Sequence, residues 1–495
     1  MIKLMGREDI GPREFAKIKY IESVIQSCFK SFGFQEISLP MLESSDLFLK
    51  RLGDRIKSQI YIFKDNEGNE IALRPELTSP VIRYFLEHYK YENYPLKFCY
   101  SGKVFRCQTA NEDIYREFTH IGTEIIGVES VLNDAESIVL ACKAAEKLGI
   151  TNYKLTLGNV GILTNLVNHL DVDVAFKSFF IENLKVKEGK DILNQAMEKG
   201  FFKFDANVDY KDLMNILKKL SPDEEKILLS KLLNIVHPHF SESLDEADDV
   251  VEGILAKIKR QNNYDSIHYI MDFSEKLKRI CGKPSDTIET AKSLLRDSNI
   301  DISYVIDLEK VTNFLIEYGI NEDNIVIDFG LGRNLQYYTG IIFEIDYIGK
   351  SDNTQICGGG RYDDLIEILG YNKPLSGCGF TFYLEKICNL LLEEDSKVHQ
   401  FLNDKIDLYF IVFNDKNTKE IFPIIQEIRK RGFNVYTDIS DIRLDNKLNN
   451  IKKQNVSLIA IFGDNNDKVK LINSKTHKEE FLSPDEFLGR FLSKG

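Results

Sequence analysis

The sequence predicts an α+β protein in which an antiparallel sheet with flanking helices is interrupted by a helical insertion and followed by a C-terminal α/β domain. Two apolar stretches, Lys97–Phe105 and Phe118–Ile126, flank a polar, turn-prone segment at Gln108–Asp113, as in a β-hairpin. Residues 166–300 are rich in Lys, Glu, Asp and Leu at helical periods. Beyond residue 403, strand and helix patterns alternate, which is typical of a doubly wound α/β sheet.

The remaining elements of the core follow from periodicity and strand-like composition. Apolar residues at helical spacing predict a helix over residues 12–32, and a second helix is expected at Ala135–Leu148. Short strand-like runs are found at Gln35–Leu39, Ile60–Phe63, Ile71–Leu73, Asn324–Asp328, Gly340–Asp346 and Gln355–Cys357. A helix is expected at Asp363–Leu369, and a charged stretch, Glu393–Asp404, separates the last domain.

Bulk composition sets the broad class. A chain of 495 residues with 43% apolar and 28% charged residues is an ordinary globular protein of roughly three domains. The sequence contains neither an apolar signal core nor a run long enough for a membrane span, so a cytoplasmic location is expected. The eight cysteines form no CxxC pair, which favours reduced thiols over disulfides or a zinc site. The net charge of −13 argues mildly against nucleic-acid binding over the whole surface, although a local basic patch would suffice.

Two segments of the first half carry side chains suited to a small zwitterion. In Leu73–Pro80 (LRPELTSP), Glu76 and Thr78 are two residues apart, so on an extended edge both point toward one ligand. In the hairpin, Arg106 could fork onto a carboxylate or phosphate, and His120 and Glu124 share one face of a strand. A strand end with a turn, and a structural Arg106–Glu124 ion pair, are the alternative interpretations.

Two glycine-containing segments of the second half could approach the same ligand. In Asp328–Gly340 (DFGLGRNLQYYTG), glycines let the backbone bring Arg333 to a cleft that Tyr338 would wall. In Cys357–Asp363 (CGGGRYD), three glycines opening a helix would allow close backbone approach. Phosphate binding there is only weakly indicated, because the run lacks the Lys-Ser/Thr of a P-loop and the GxGxxG spacing.

Together and in this order, these segments resemble the class II histidyl-tRNA synthetase family over about residues 8–165 and 320–390. Motif 1 of that class corresponds to Ile37–Phe48, motif 2 to Val104–Glu124 and motif 3 to Gly379–Lys386. The resemblance implies a class II aminoacyl-tRNA synthetase-like core at residues 1–165 and 301–395. It also implies an anticodon-binding-like domain at 403–495 and, because motif 1 forms the subunit interface in this class, a homodimer.

The resemblance also implies a histidine-binding set. Residues that match the family's histidine pocket are Glu76, Thr78, Glu124, Arg333, Tyr338 and Tyr362. Arg106, which matches the motif 2 arginine that grips the α-phosphate, and His120, which stands where the family usually has glutamine, complete the set. In such a pocket, acidic side chains receive the α-ammonium and imidazole N–H, and an arginine takes the carboxylate.

The nucleotide side departs from the family pattern. The hairpin tip carries Glu112 and Asp113 where a triphosphate should lie, and the motif 3 arginine is Lys386, which lacks a planar fork. These departures favour a paralogue, the histidine-binding regulatory subunit of ATP phosphoribosyltransferase, whose partner would be that enzyme's catalytic subunit. On this hypothesis the chain has no catalytic residues, cofactor or metal. The alternatives are a divergent histidine–tRNA ligase, with tRNA as partner, and a synthetase-like interaction protein without a ligand.

Overall fold

The computed structural model describes residues 9–49, 57–107, 116–168, 174–184, 267–332, 337–350, 352–391, 406–412, 418–440, 442–451, 456–463 and 468–492, with isolated positions between 192 and 231. The chain forms two compact units, residues 1–10 with 21–390 and residues 11–20 with 391–495. The hairpin tip Gln108–Asp113, the charged stretch Glu393–Asp404 and much of the insertion 166–300 lie outside the described residues. The domain boundaries expected from the sequence stay a prediction.

The elements between residues 12 and 390 alternate between short strands and helices. In chain order they are α1 (Pro12–Ser31), β1 (Gln35–Glu36), β2 (Leu42–Ser44), α2 (Asp46–Leu49), β3 (Tyr61–Lys64), β4 (Glu70–Leu73), α3 (Thr78–His88), β5 (Leu96–Phe105), β6 (Glu117–Ile126), α4 (Val131–Lys147), β7 (Tyr153–Asn159), α5 (Gly161–Asn168), α6 (Val174–Leu184), β8 (Cys281–Gly282), α7 (Pro284–Asp297), α8 (Ser303–Glu317), β9 (Ile325–Asp328), β10 (Ile341–Ile348), β11 (Asn353–Arg361), α9 (Asp363–Ile368), β12 (Gly377–Tyr383) and α10 (Leu384–Leu390).

A nine-stranded sheet organises this unit, in the order β1-β5-β6-β12-β11-β10-β7-β9-β8. Neighbouring strands in this sheet are antiparallel, except for the parallel pairs β1–β5 and β7–β9. The predicted antiparallel sheet with flanking helices is therefore confirmed. The predicted hairpin corresponds to β5 and β6, which pair from Leu96↔Ile126 to Phe105↔Glu117. A separate small sheet has the order β2-β4-β3.

Arg74 connects three segments of the chain through hydrogen bonds to backbone carbonyl oxygens. Its guanidinium donates to the carbonyl oxygens of Leu39 (2.6 Å), Pro40 (2.9 Å) and Lys103 (2.8 Å). A Cβ at residue 102 would overlap the guanidinium, so glycine there makes room for it. The arginine of the LRPELTSP segment is thus a structural clamp, which fixes the backbone just before Glu76.

A buried ion pair anchors the end of β11 to α4. The Arg361 guanidinium donates to the Asp134 carboxylate at 2.8 and 3.1 Å and to the carbonyl oxygen of Ser130 at 2.9 Å. Both charged side chains are buried, with 10% and 3% of their surface exposed. The pair fixes the backbone immediately before Tyr362.

The second unit contains a five-stranded sheet. Its elements are β13 (Ile406–Val412), α11 (Thr418–Lys430), β14 (Val435–Asp438), α12 (Leu444–Ile451), β15 (Val456–Phe462), β16 (Val469–Asn473), β17 (Glu479–Leu482) and α13 (Pro484–Leu492). The order is β14-β13-β15-β16-β17, with β13 parallel to both neighbours, as the alternating pattern predicted. The antiparallel pair β16–β17 was not predicted. Among the described residues, no helix combines the length and apolar character that crossing a membrane requires.

We expect Asp134→Ala to lower the free energy of unfolding by about 3 kcal/mol, because the Arg361 guanidinium loses its buried carboxylate and keeps only that of the partly exposed Asp363, at 3.2 Å. The measurement is the urea midpoint of the unfolding transition, followed by tyrosine fluorescence. Asp364→Ala is the matched control, since Asp364 is exposed on the neighbouring helix. A loss below about 1 kcal/mol, the range of surface ion pairs, would contradict the clamp.

Candidate active site

Glycines on one face of the central sheet let other groups of the chain lie directly against the backbone. Strand pairing places Glu124, Gly379, Gly360, Ile342 and Gly158 in one row across five adjacent strands. Residues directly opposite one another on paired strands point to the same face of a sheet. A Cβ at residue 379 would overlap the Glu124 carboxylate, so the glycine is required for the carboxylate to lie where it does.

A second row runs beside the first. Tyr100, Gly122, Thr381 and Gly358 are opposite one another on β5, β6, β12 and β11. The Tyr100 ring lies over Gly122, where a Cβ would come within 2.6 Å of its hydroxyl oxygen, and this hydroxyl is 3.1 Å from that of Thr381. In the two rows, the glycines make room for the Glu124 carboxylate, the Tyr100 ring and the Leu331 side chain.

Glu124 is the buried centre of this surface. Its carboxylate accepts hydrogen bonds from the hydroxyls of Thr78 (2.8 Å), Tyr100 (3.1 Å) and Tyr362 (2.5 Å). Only 1% of the residue is exposed. The structure therefore brings together three of the residues expected at the site, Thr78, Glu124 and Tyr362, and adds Tyr100, which the sequence analysis missed.

Glu76 and Thr78 lie at the start of α3 rather than on an extended edge, so the predicted geometry of this pair is wrong. Thr78 is the first residue of the helix. The Glu76 carboxylate accepts from the backbone N–H of Ser79 at 3.1 and 3.2 Å. An acidic side chain that accepts an N–H of the first helical turn is a typical way to satisfy groups without an intrahelical partner. Glu76 is buried, with 3% of its surface exposed.

Burial raises the pKa of both carboxyl groups. The pKa of Glu124 rises to about 7, chiefly by desolvation, with the three hydroxyl donors lowering it and the charge of Glu76 raising it. Desolvation also raises the pKa of Glu76 above its usual range. A cationic group of a ligand beside these two carboxyl groups would favour their ionised forms, so the pair suits a cationic ligand.

Arg106 and His120 extend the same face toward the hairpin tip. Arg106 donates through Nε to the carbonyl oxygen of Pro75 (3.0 Å), and its guanidinium carbon lies 5.3 Å from the Phe118 ring centroid. His120 is buried between the rings of Phe118 and Tyr383, at centroid distances of 5.2 and 5.6 Å. As predicted from strand alternation, His120 is on the face that carries Glu124.

Tyr337 and Tyr338 are adjacent buried tyrosines, and Tyr337 contacts two of the residues that donate to Glu124. Tyr338, which the sequence analysis expected as a wall, is buried in the core, and its ring centroid lies 4.9 Å from that of Tyr337. Tyr337 was missed, yet its hydroxyl reaches that of Thr78 at 3.5 Å, and its ring meets Tyr362 edge to face at 5.9 Å. The tandem tyrosines in the sequence were a signal for this second contact. Arg333 lies outside the described residues.

The glycine run Gly358–Gly360 does not open a helix, contrary to the sequence prediction. It is the second half of β11, and α9 begins only at Asp363. A Cβ at residue 359 would overlap the carbonyl oxygen of Gly379, and one at residue 360 would come within 2.6 Å of that of Ile341. The run therefore permits close packing of strands in the centre of the sheet.

The chain matches the model of a known protein family. The family model for histidyl-tRNA synthetase matches residues 6–276 and 258–387 of the chain. The chain belongs to the histidyl-tRNA synthetase family. Histidine–tRNA ligases of Methanococcus maripaludis and Methanocaldococcus jannaschii are each 27% identical to it over 489 residues, which are 98% of this chain and 99% and 98% of those proteins.

Solved structures show the same fold. The histidyl-tRNA synthetase of S. aureus in its apo form covers 99% of this chain and 100% of its own, with a TM-score of 0.64 and 21% identity. A Bacillus halodurans protein described as an ATP phosphoribosyltransferase regulatory subunit/histidyl-tRNA synthetase covers 93% and 98%, with a TM-score of 0.61 and 19% identity. The class II synthetase-like fold expected from the motifs is confirmed.

The prediction of an ATP phosphoribosyltransferase regulatory subunit is wrong, and that enzyme's catalytic subunit, expected as partner, is suggested only by the description of the Bacillus halodurans protein. The curated relatives that align with nearly the whole chain are histidine–tRNA ligases. Lysine at 386 lacks the fork of arginine but keeps its positive charge, so the substitution alters geometry and retains electrostatic attraction for phosphate. The acidic hairpin tip, the other argument for that prediction, lies outside the described residues.

We expect Glu124→Gln to stabilise the unliganded protein at pH 8. The pKa of Glu124 in the folded chain, about 7, exceeds the ordinary 4.5, so folding favours the protonated carboxyl. Its contribution to stability is complete below pH 4.5 and is lost as the pH rises through 7. The loss amounts to about 3 kcal/mol.

The measurement is urea unfolding of the wild type and the Gln variant between pH 5 and pH 8. The advantage of the variant should grow with pH across this range and level off above pH 7, where the wild-type carboxyl is ionised. A difference that does not vary with pH would show that burial leaves this carboxyl with an ordinary pKa.

Proposed function

We propose that the chain is a histidine–tRNA ligase, which activates histidine with ATP and transfers it to tRNA. The observation that carries the proposal is the match to histidine–tRNA ligases over 98% of this chain and 99% of the relative. A relative that aligned with the core alone would be compatible with a protein that had kept the fold and changed its activity. Alignment through the second unit as well supports a tRNA partner.

The proposed histidine site consists of Glu76, Thr78, His120, Glu124, Tyr338 and Tyr362. Arg106 and Arg333 are proposed to bind the anionic groups of the substrates, the α-phosphate and the histidine carboxylate. Glu124 and Glu76 are buried carboxyl groups with raised pKa values, and the α-ammonium and imidazole of histidine would favour their ionised forms on binding. Hydrogen-bonded pairing of a desolvated carboxylate with a cation offsets the cost of burying both. The three hydroxyl donors hold Glu124 in place before the ligand arrives, which reduces the loss of side-chain entropy on binding.

The proposed reaction has two steps. A histidine carboxylate oxygen attacks the α-phosphorus of ATP, forming histidyl-adenylate and releasing pyrophosphate. A terminal hydroxyl of tRNA then attacks the activated carbonyl, and AMP leaves. Arg106 is the residue proposed to hold the α-phosphate. Its Nε hydrogen bond to the carbonyl oxygen of Pro75, which keeps it beside the segment that carries Glu76, supports this role. Electrostatic clamping of this kind is the main protein contribution to phosphoryl chemistry.

We expect the purified chain to catalyse histidine-dependent exchange of pyrophosphate into ATP. The assay is run with and without histidine, and with the other amino acids as controls, because exchange requires formation of an aminoacyl-adenylate. Histidine binding in calorimetry without any exchange of pyrophosphate into ATP would contradict the ligase proposal. Charging of tRNA with labelled histidine tests the second step separately.

We expect Glu124→Ala to weaken histidine binding by about 2–5 kcal/mol, since a buried carboxylate–ammonium contact is lost. Isothermal calorimetry at pH 8 gives the affinity. Glu129→Ala serves as the matched control, because Glu129 is an exposed glutamate five residues further along the chain. Equal affinities of the two variants would mean that the histidine pocket lies elsewhere.

The homodimer expected from motif 1 also stays a prediction, to be tested by analytical ultracentrifugation.

A further inference from the structure

We propose that Tyr383 is a positioning residue that holds the Lys386 ammonium at the nucleotide side of the site. This inference rests on the proposed function, because it concerns how a chain with lysine at this motif 3 position retains nucleotide. Lys386 is exposed in the first turn of α10. Its Nζ lies 5.0 Å from the ring centroid of Tyr383, the last residue of β12.

The Tyr383 ring is fixed on the ligand face of the sheet. Tyr383 is directly opposite His120 on β6, and paired residues project from the same face. His120 in turn is on the face that carries Glu124, four residues further along the strand. A lysine that follows this ring is therefore directed toward the side of the sheet on which the buried carboxylate lies.

A continuous row of rings joins the two cations that the proposed reaction needs. Arg106 lies over Phe118, Phe118 meets His120 at 5.2 Å and 67°, and His120 meets Tyr383 at 5.6 Å and 64°. The Lys386 ammonium lies over the ring of Tyr383, at the other end of the row. Ring contacts of this edge-to-face kind are favourable and directional, so each ring restrains the next. The row gives Arg106 and Lys386 a defined separation along one face.

The helix that carries Lys386 is itself fixed. The Glu385 carboxylate accepts from the backbone N–H of Thr119 at 2.8 and 2.9 Å and from its hydroxyl at 2.8 Å. The Lys103 ammonium adds a contact at 3.2 Å. Both partners are on the β5–β6 hairpin, so the start of α10 moves with the strand that bears His120. Lys386 thus has an anchored backbone, and only its side chain needs a further restraint.

The chemistry explains why a ring matters for lysine in particular. The stems of arginine and lysine are similarly flexible, but the planar fork of arginine fixes its donors relative to one another, whereas the lysine ammonium is a point charge. The negative face of an aromatic ring attracts an ammonium and limits the range of positions that it occupies. Tyr383 therefore restricts the positions of the charge, and a triphosphate meets a cation that is already in place.

The test compares Tyr383→Leu, which removes the ring, with Tyr383→Phe, which keeps it. We expect the Leu variant to raise the KM for ATP in the exchange assay by about twofold to fivefold, with the KM for histidine unchanged from the wild type. The Phe variant should restore most of the ATP affinity. Tyr318→Leu, at an exposed tyrosine distant in sequence from the site, is the control for loss of any tyrosine.

A double-mutant cycle separates positioning from simple packing. If Tyr383 acts through the ammonium, Lys386→Met should raise the KM for ATP, and adding Tyr383→Leu to it should cause little further change. Additive effects, or equal losses for ATP and histidine, would overturn the inference. Calorimetric histidine binding by each variant shows whether it has folded.

Direct ATP binding distinguishes this inference from the proposed function. Exchange in the wild type with no effect of Tyr383→Leu on ATP leaves the ligase proposal intact and refutes the role of Tyr383. No exchange, with ATP binding that falls in the Leu variant and is restored in the Phe variant, refutes the ligase proposal and supports the role of Tyr383. Wild-type protein that binds no ATP refutes both.

Discussion

A carboxylate buried beneath three hydroxyls is the constraint on which the packing of this site depends. Removing an ionisable carboxyl from water is costly unless hydrogen bonds replace the lost hydration. Glu124 obtains them from Thr78, Tyr100 and Tyr362, which come from a helix start, a neighbouring strand and the segment after β11. Three distant parts of the chain must therefore converge within hydrogen-bond distance of one residue, and the surrounding architecture makes that possible.

The glycines of the sheet and the two arginine clamps serve this convergence in different ways. Gly379 leaves room for the carboxylate itself, and Gly377 leaves room for the Tyr362 ring. Arg361 holds the backbone next to Tyr362, while Arg74 holds the backbone that leads to Thr78. The two arginines therefore help to determine the directions from which the donors to Glu124 arrive. Stability and site geometry are therefore coupled through the same buried polar contacts.

Sequence patterns predicted the parts of the site that depend on local structure. Strand alternation placed His120 and Glu124 on one face, and the paired apolar runs predicted the hairpin that carries them. The role of Tyr100 depends on hairpin register and on Gly122, so a single strand does not reveal it. The helix start at Thr78 and the strand position of Gly358–Gly360 depend on tertiary contacts, which override local glycine and turn signals.

The error about function has the same origin as the errors about geometry. Lys386 and the acidic hairpin tip were interpreted from the motif pattern alone, with Lys386 taken as a residue that cannot reproduce the two parallel hydrogen bonds of arginine. In the folded chain its ammonium faces the ring of Tyr383, and α10 is fixed to the hairpin through Glu385. A substitution that looks like a loss in one motif can thus be accompanied by neighbours that suit the new side chain. The capacity of a site for phosphate depends on where its charges are held as well as on which residues carry them.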